Sequence, residues 1–195
     1  MNFDYLTSNK GNLLADLISI KPNIYSDSRG FFFESWNKNI FNEIVNEEIN
    51  FCQDNHSKST LGVLRGLHYQ LDPYAQGKLV RCTVGSIFDV AVDIRRSSST
   101  YGEWSGLKLS AENSTQLWIP KGFAHGFLTL SDVAEVQYKA SGFWNKECER
   151  SIIWNDESIG INWSKESGYI KTLLSPKDNS ASSLIEAEKK GDIFE

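Results

Sequence analysis

Apolar and polar residues alternate through the middle of this chain, and the alternation predicts strands. Residues 134–141, AEVQYKAS, give a clear short run. Residues 77–95, GKLVRCTVGSIFDVAVDIR, read as two strands around a Gly85-Ser86 turn. In the second of these, Asp89, Ala91 and Asp93 share one face while Val90, Val92 and Ile94 share the other. Residues 49–59, 102–113 and 114–131 add further strands, the last interrupted by a Pro-Lys-Gly turn. Turn signals recur about every 8–14 residues between positions 50 and 145, the signature of an antiparallel sandwich or barrel. Long βαβ alternation is absent, as are GxGxxG and GxxxxGK[ST], and no repeat shows at a fixed period.

Toward the amino terminus the pattern is mixed. Residues 13–20, LLADLISI, are expected as a strand because turn residues follow in KPNIYSDSRG. Residues 31–36, FFFESW, read as a short aromatic strand in which Glu34 needs a partner, with Arg29 and Arg65 as candidates. Residues 37–48 carry an apolar stripe at Ile40, Phe41, Ile44 and Val45, which predicts a helix capped by Asn37 or Asn39. Residues 149–170 are expected as short strands or turns against the barrel end. Residues 180–190 are expected as a surface helix through Leu184, Ile185 and Ala187, or as a frayed tail. The expected organisation is one domain over 1–180, with 181–195 as that helix or tail.

Composition narrows the class. A chain of 195 residues and 22.1 kDa is long enough for one domain with a true core. Its net charge of -5 and the lack of a basic stripe argue against a general nucleic-acid binder. The three cysteines, Cys52, Cys82 and Cys148, have neither CxxC spacing nor a disulfide pattern, so a reducing cytosol is the expected compartment. No amino-terminal signal and no long apolar run are visible, so no membrane association is expected.

The chain is organised around residues 61–70, LGVLRGLHYQ, where Arg65 and His68 lie close together in a largely apolar run. A guanidinium buried there requires an anion nearby, either a carboxylate or a ligand. A structural Arg–Asp pair and a satisfied core histidine would also account for the stretch. Metal binding is disfavoured, because only His56, His68 and His125 are available and the cysteines lack ligand spacing. Metal-free acid–base work is the second reading: an imidazole oriented by Asp89, Asp93 or Asp178, Lys78 as oxyanion donor and Tyr138 as phenolic acid. A third reading is a sugar-phosphate pocket. Arg29, Arg65, Lys78 and Lys121 would supply cations, Gln53 and Asn55 polar contacts, and Phe32, Tyr74 and Trp144 stacking surface.

Several long segments in one order then carry a resemblance. They are DSRGFFFESW, FCQDNHSKSTLGVLRGLHYQ, GKLVRCTVGSIFDVAVDIRRSSSTYGEW, LSAEN, LWIPKGFAHGFLTLSDVAEVQYK and WNDESIGINW. Together they resemble the dTDP-4-dehydrorhamnose 3,5-epimerase family over about residues 13–180. The resemblance implies a cupin-like jelly roll, all-β with a few short peripheral helices, and a homodimer with exchanged amino-terminal strands. It implies no cofactor and no metal, and a dTDP-linked 4-keto-6-deoxyhexose as the molecule bound. By resemblance, His68 is the base and Tyr138 the acid on the opposite face. Asp178 orients the histidine, Lys78 sits near the C4 oxygen, and Arg65 helps hold the developing charge or the diphosphate. His125 and Asp89 are inner members of the site. The substrate-binding set implied is Arg29, Phe32, Glu34, Gln53, Asn55, Arg65, Lys78, His125, Trp144 and Glu149, some of them from a neighbouring subunit. The sequence departs from the family at Trp144, where tyrosine is usual, and at Ser99, where proline is usual.

Overall fold

The structure, a computed structural model, describes residues 1–166, 168 and 171–195. In chain order the elements are β1 (Asn2–Thr7), β2 (Leu13–Lys21), β3 (Tyr25–Asp27), β4 (Gly30–Phe32), α1 (Lys38–Val45), β5 (Gln53–Thr60), β6 (Leu64–Gln70) and β7 (Lys78–Val84). They continue with β8 (Ser86–Asp93), β9 (Trp104–Ser110), β10 (Gln116–Ile119), β11 (Phe123–Thr129), β12 (Val133–Ala140), β13 (Glu149–Ser151), α2 (Pro176–Asn179) and α3 (Leu184–Lys190). Strands β1-β2-β10-β7-β12-β5 form one antiparallel sheet, and β13-β6-β11-β8-β9 form the second. Strands β3 and β4 make a separate hairpin. The architecture is the expected cupin-like sandwich with peripheral helices.

From β5 onward the chain passes repeatedly from one sheet to the other. The turn at Gly85 therefore joins two strands of different sheets and closes no hairpin. Gly85 has φ +69°, and a Cβ there would lie 2.0 Å from the Val133 carbonyl, so the corner admits no side chain. The Pro120–Gly122 turn likewise crosses between the sheets, from β10 to β11.

These crossings give the sandwich three apolar layers. Inward-facing Val80, Cys82, Ile87, Ala91, Leu117, Phe127 and Val136 fill the space between the sheets. The outer face of the second sheet presents Leu64, Phe88, Val90, Val92 and Leu128, covered by Ile152, Ile159, Trp163, Leu184, Ala187 and Ile193. The outer face of the first sheet packs Ile18, Ile20, Leu79 and Trp118 under Phe41 and Ile44 of α1. Strand β8 is thus covered on both faces, which explains why its alternation between Asp/Ala and Val/Ile marks two buried sides.

The helix expected over 37–48 forms over Lys38–Val45, and the Asn37 side chain caps it by accepting from the Asn39 and Ile40 amides. FFFESW pairs only through Phe31 and Phe32. Of the segment expected to carry short strands or turns over 149–170, β13 is paired, and residues 167, 169 and 170 lie outside the described residues. The carboxy-terminal helix forms as α3 with a Ser183–Glu186 capping box, and it buries Leu184 and Ala187. Large apolar side chains remain exposed on edge strand β1 (Phe3, Tyr5) and on the β3–β4 hairpin (Tyr25, Phe31, Phe32).

Strands β6 and β11 approach most closely at two glycines. A Cβ on Gly66, whose φ is +127°, would lie 2.5 Å from Gly126 Cα. Gly66→Ala is expected to cost about 2–4 kcal/mol through the clash and the forbidden dihedral together. Urea unfolding measures this, and a loss under about 0.5 kcal/mol, the range of an ordinary surface substitution, would contradict the packing described.

Candidate active site

The chemistry-bearing side chains enter the sandwich interior from both sheets. His68, Asp89 and His125 come from β6, β8 and β11 of the second sheet, and Lys78 and Tyr138 come from β7 and β12 of the first. Register fixes their neighbours: His125 lies opposite His68 on one side and opposite Ala91 on the other. The pairing of β6 with β11 shifts between His125 and Phe127, placing an extra β6 residue opposite Gly126. This bulge reverses the parity of β6, so Arg65 and His68 line the same cavity although three positions apart. The cavity measures about 180 Å³ and is also lined by Lys78, His125, Tyr138, Trp144 and Glu149.

His68 holds Asp178 through Nε2 at 2.5 Å. Asp178 sits in α2, whose N-cap Ser175 takes the Asp178 amide proton and donates its hydroxyl to Asp178 Oδ2 at 2.9 Å. Burial works to raise the Asp178 carboxyl. The hydrogen bond and charge of His68, with Ser175 and Lys177, overcome it and hold the group below its usual range. An ionised carboxylate can only accept, so His68 Nε2 carries a proton and Nδ1 has no partner among the described residues. This answers which aspartate serves His68. Asp89 instead pairs with His125 at 2.7 Å, and Asp93 pairs with Arg95.

His125 is buried, and burial depresses its pKa against the pull of Asp89, which keeps the ring neutral. Lys78 is also buried, and desolvation lowers its pKa from 10.5 to about 8, with Asp89 and Glu149 opposing the fall. Its Nζ is 3.5 Å from the His68 carbonyl and 5.8 Å from the centre of the Tyr138 ring. The Tyr138 phenol is raised by burial and by Glu149, and Arg65 works the other way.

Arg65 departs from expectation. It is exposed, and its guanidinium donates to Ser59 Oγ and the Lys58 carbonyl, with no carboxylate pair among the described residues. Glu34 pairs with neither proposed arginine: it accepts from Asn37 Nδ2, while Arg29 pairs with Asp27. Arg29 and Phe32 border a separate surface hollow on the β3–β4 hairpin, outside the cavity of His68. Gln53 links Asn55 and Trp144, donating to the Asn55 side chain and accepting from the Trp144 amide at 3.0 Å. Asn55 itself lines a second groove of about 340 Å³, to which Tyr138 also contributes.

Two further residues shape the site. Gln70 donates to the Tyr74 and Phe143 carbonyls and accepts from the Asn145 amide, so it anchors the loop that presents Trp144. Its spacing of two from His68 was the available signal. Lys177, next to Asp178, pairs with Glu149 at 2.6 Å and ties α2 to the cavity wall. That pairing lowers the Glu149 carboxyl despite its burial. Among the described residues no three His, Cys, Asp or Glu side chains converge to hold a metal, and no helix is long and apolar enough to cross a membrane.

Comparison with known proteins points the same way. The dTDP-4-dehydrorhamnose 3,5-epimerase of Shigella flexneri is 56% identical over 175 residues, covering 90% of this chain and 94% of that protein. The crystal structure of dTDP-6-deoxy-D-glucose-3,5-epimerase from Legionella pneumophila, in complex with dTDP-4-keto-L-rhamnose, superimposes with a TM-score of 0.89. It is 42% identical and covers 99% of this chain and 98% of its own. A 3'-monoepimerase from Streptomyces bikiniensis, in complex with dTDP-quinovose, aligns with a TM-score of 0.85 at 32% identity, covering 92% of this chain and 89% of its own. The family model described as dTDP-4-dehydrorhamnose 3,5-epimerase matches residues 12–186. On the strength of that match and these relatives, the chain belongs to the dTDP-4-dehydrorhamnose 3,5-epimerase family.

Proposed function

We propose that this epimerase inverts C3 and C5 of dTDP-4-keto-6-deoxyglucose, with His68 as base and Tyr138 as acid. The observation that carries the reading is that the two side chains line one cavity from opposing sheets, and Lys78 lines it with them, its Nζ near the Tyr138 ring and the His68 main-chain carbonyl. The C4 ketone acidifies both neighbouring carbons, so removing either proton gives an enolate. His68 takes the proton and becomes an imidazolium stabilised by the ionised Asp178. The enolate charge gathers on the C4 oxygen, where Lys78 neutralises it. Tyr138 then protonates the carbon from the other side and is left as tyrosinate. Solvent returns its proton and removes the one on His68, and the cycle repeats at the second carbon. The raised phenol of Tyr138 suits a donor that must stay protonated until the enolate forms.

Arg65 and Lys177 hold the diphosphate, while Trp144, Gln53 and Asn55 receive the nucleoside. Arg29, Phe32 and Glu34 act on the cavity of a second copy, which makes the homodimer the working unit. The place of Arg29 and Phe32 on an exposed aromatic hairpin, away from the cavity of their own chain, supports this. The three cysteines are free, in keeping with a cytoplasmic enzyme.

In deuterated water, the enzyme is expected to exchange protium for deuterium at both C3 and C5. Exchange at one carbon only would instead assign a mono-epimerase, the outcome suggested by the likeness to the Streptomyces bikiniensis protein. His68→Ala is expected to abolish exchange and lower kcat by about 10²–10⁴. Tyr138→Phe should keep exchange while losing inversion, and the opposite pattern in the two variants would refute the assigned roles.

The shared site has its own test. Arg29→Ala and His68→Ala chains, each inactive or impaired alone, should recover about a quarter of wild-type activity when mixed and reassembled. Half the dimers would then be mixed, each with one complete site. Activity no greater than the sum of the two separate variants would show that Arg29 serves its own chain.

A further inference from the structure

Asp89 is the most enclosed charged group of the site, with no solvent exposure in the middle of β8. Its Oδ1 accepts from His125 Nε2 at 2.7 Å. Its Oδ2 is buried and has no hydrogen-bond partner among the described residues. A carboxylate with so few donors is costly to bury unless a positive charge lies close. Lys78 of the opposing sheet is the cation that Asp89 acts on, although no ion pair within 4.0 Å joins them among the described residues. Lys78 is also buried, and among the described residues its side chain's one hydrogen bond is the long contact to the His68 carbonyl. Two of its N–H groups are thus left to the cavity.

We propose that Asp89 is a positioning residue for the epimerisation: its carboxylate holds Lys78 as an ammonium across the sandwich and fixes His125 in the tautomer that leaves Nδ1 a lone pair. The inference rests on the reading of Lys78 as the group that neutralises the enolate. Asp89 from β8 and Glu149 from β13 favour the charged lysine. On the same wall, His68 from β6 disfavours it once protonated, as Arg65 does, while Tyr138 and neutral His125 add no positive charge. Burial outweighs the two carboxylates and already brings Lys78 to about 8, so little margin separates the ammonium from the amine at neutral pH.

Asp89→Asn removes the charge and keeps the shape. Two readouts are taken with the intact enzyme across the neutral and alkaline range: kcat/KM for dTDP-4-keto-6-deoxyglucose, and the Lys78 side-chain signal in protein carrying ε-¹³C lysine, assigned with Lys78→Met. In Asp89→Asn both midpoints are expected to move to lower pH by about one unit or more, a tenfold loss of ammonium on the alkaline side. An unmoved Lys78 titration, with activity scaled equally at every pH, would overturn the proposal. If the lysine signal moves and the rate profile does not, Asp89 does set the charge and the catalytic reading of Lys78 is what fails. Asp89→Ser carries the same test if the asparagine variant unfolds. If neither variant keeps a wild-type thermal transition, Asp89 is a folding requirement and the proposal falls.

Discussion

The site depends on matching buried charge between two sheets. Ile87, Leu117 and Val136 fill part of the sandwich interior, and Lys78, Asp89 and His125 are buried in the same interior. Charges in so poorly solvating an environment must be compensated by one another. Lys78 stands on the first sheet and Asp89 on the second, so the charges that face each other here come from opposite layers of the sandwich. His68 and Tyr138 inherit that arrangement, since each occupies a strand whose register is set by the same pairings.

Much of the fold was legible because the strands obey a period of two and the turns carry glycine, proline or asparagine. The alternation of β8 and β12 gave the right faces. It did not give their partners. Gly85 reads as a hairpin turn because two strands flank it closely, yet the strands join different sheets. Local sequence records that the chain turns; which edge the next strand meets is decided by long-range packing. The carboxy-terminal helix shows the same limit. Its apolar positions are few, and only the exposed outer face of β8 and β6 gives Leu184 and Ala187 something to cover.

The candidate site was legible mainly through long motifs. Strict alternation alone would put Arg65 and His68, three positions apart, on opposite faces; the bulge at β6 brings them to one cavity, in keeping with their closeness in the sequence. The run also asked for a carboxylate or a ligand beside Arg65, and among the described residues no carboxylate is paired with it. The partner of His68 lies 110 positions away, in a single helical turn with no apolar pattern to announce it. Gln70 and Lys177 were passed over for a related reason: each acts by holding a loop or helix in place, a duty that a position two from His68 or next to Asp178 does not by itself announce. Arg29 and Phe32 stand apart, bordering a surface hollow other than the cavity of His68, and Glu34 is held by Asn37.

Two histidine–carboxylate pairs lie side by side in this interior, and their surroundings give them different capacities. The His68–Asp178 pair is open enough for the imidazole to gain charge: its side chain is 31% exposed, and its aspartate is held ionised by Ser175 and Lys177 as well as by the histidine. The His125–Asp89 pair is sealed, with the histidine side chain 7% exposed and the aspartate 0%. Burial forbids a second imidazolium there, and Lys78 and His68 oppose it further. A base must be able to accept a proton and pass it to water, which only the first pair can do. The sealed pair can only hold its protonation state. Two histidines in register on neighbouring strands are therefore divided by solvent access and by the charges around them into one that can exchange a proton with water and one that cannot.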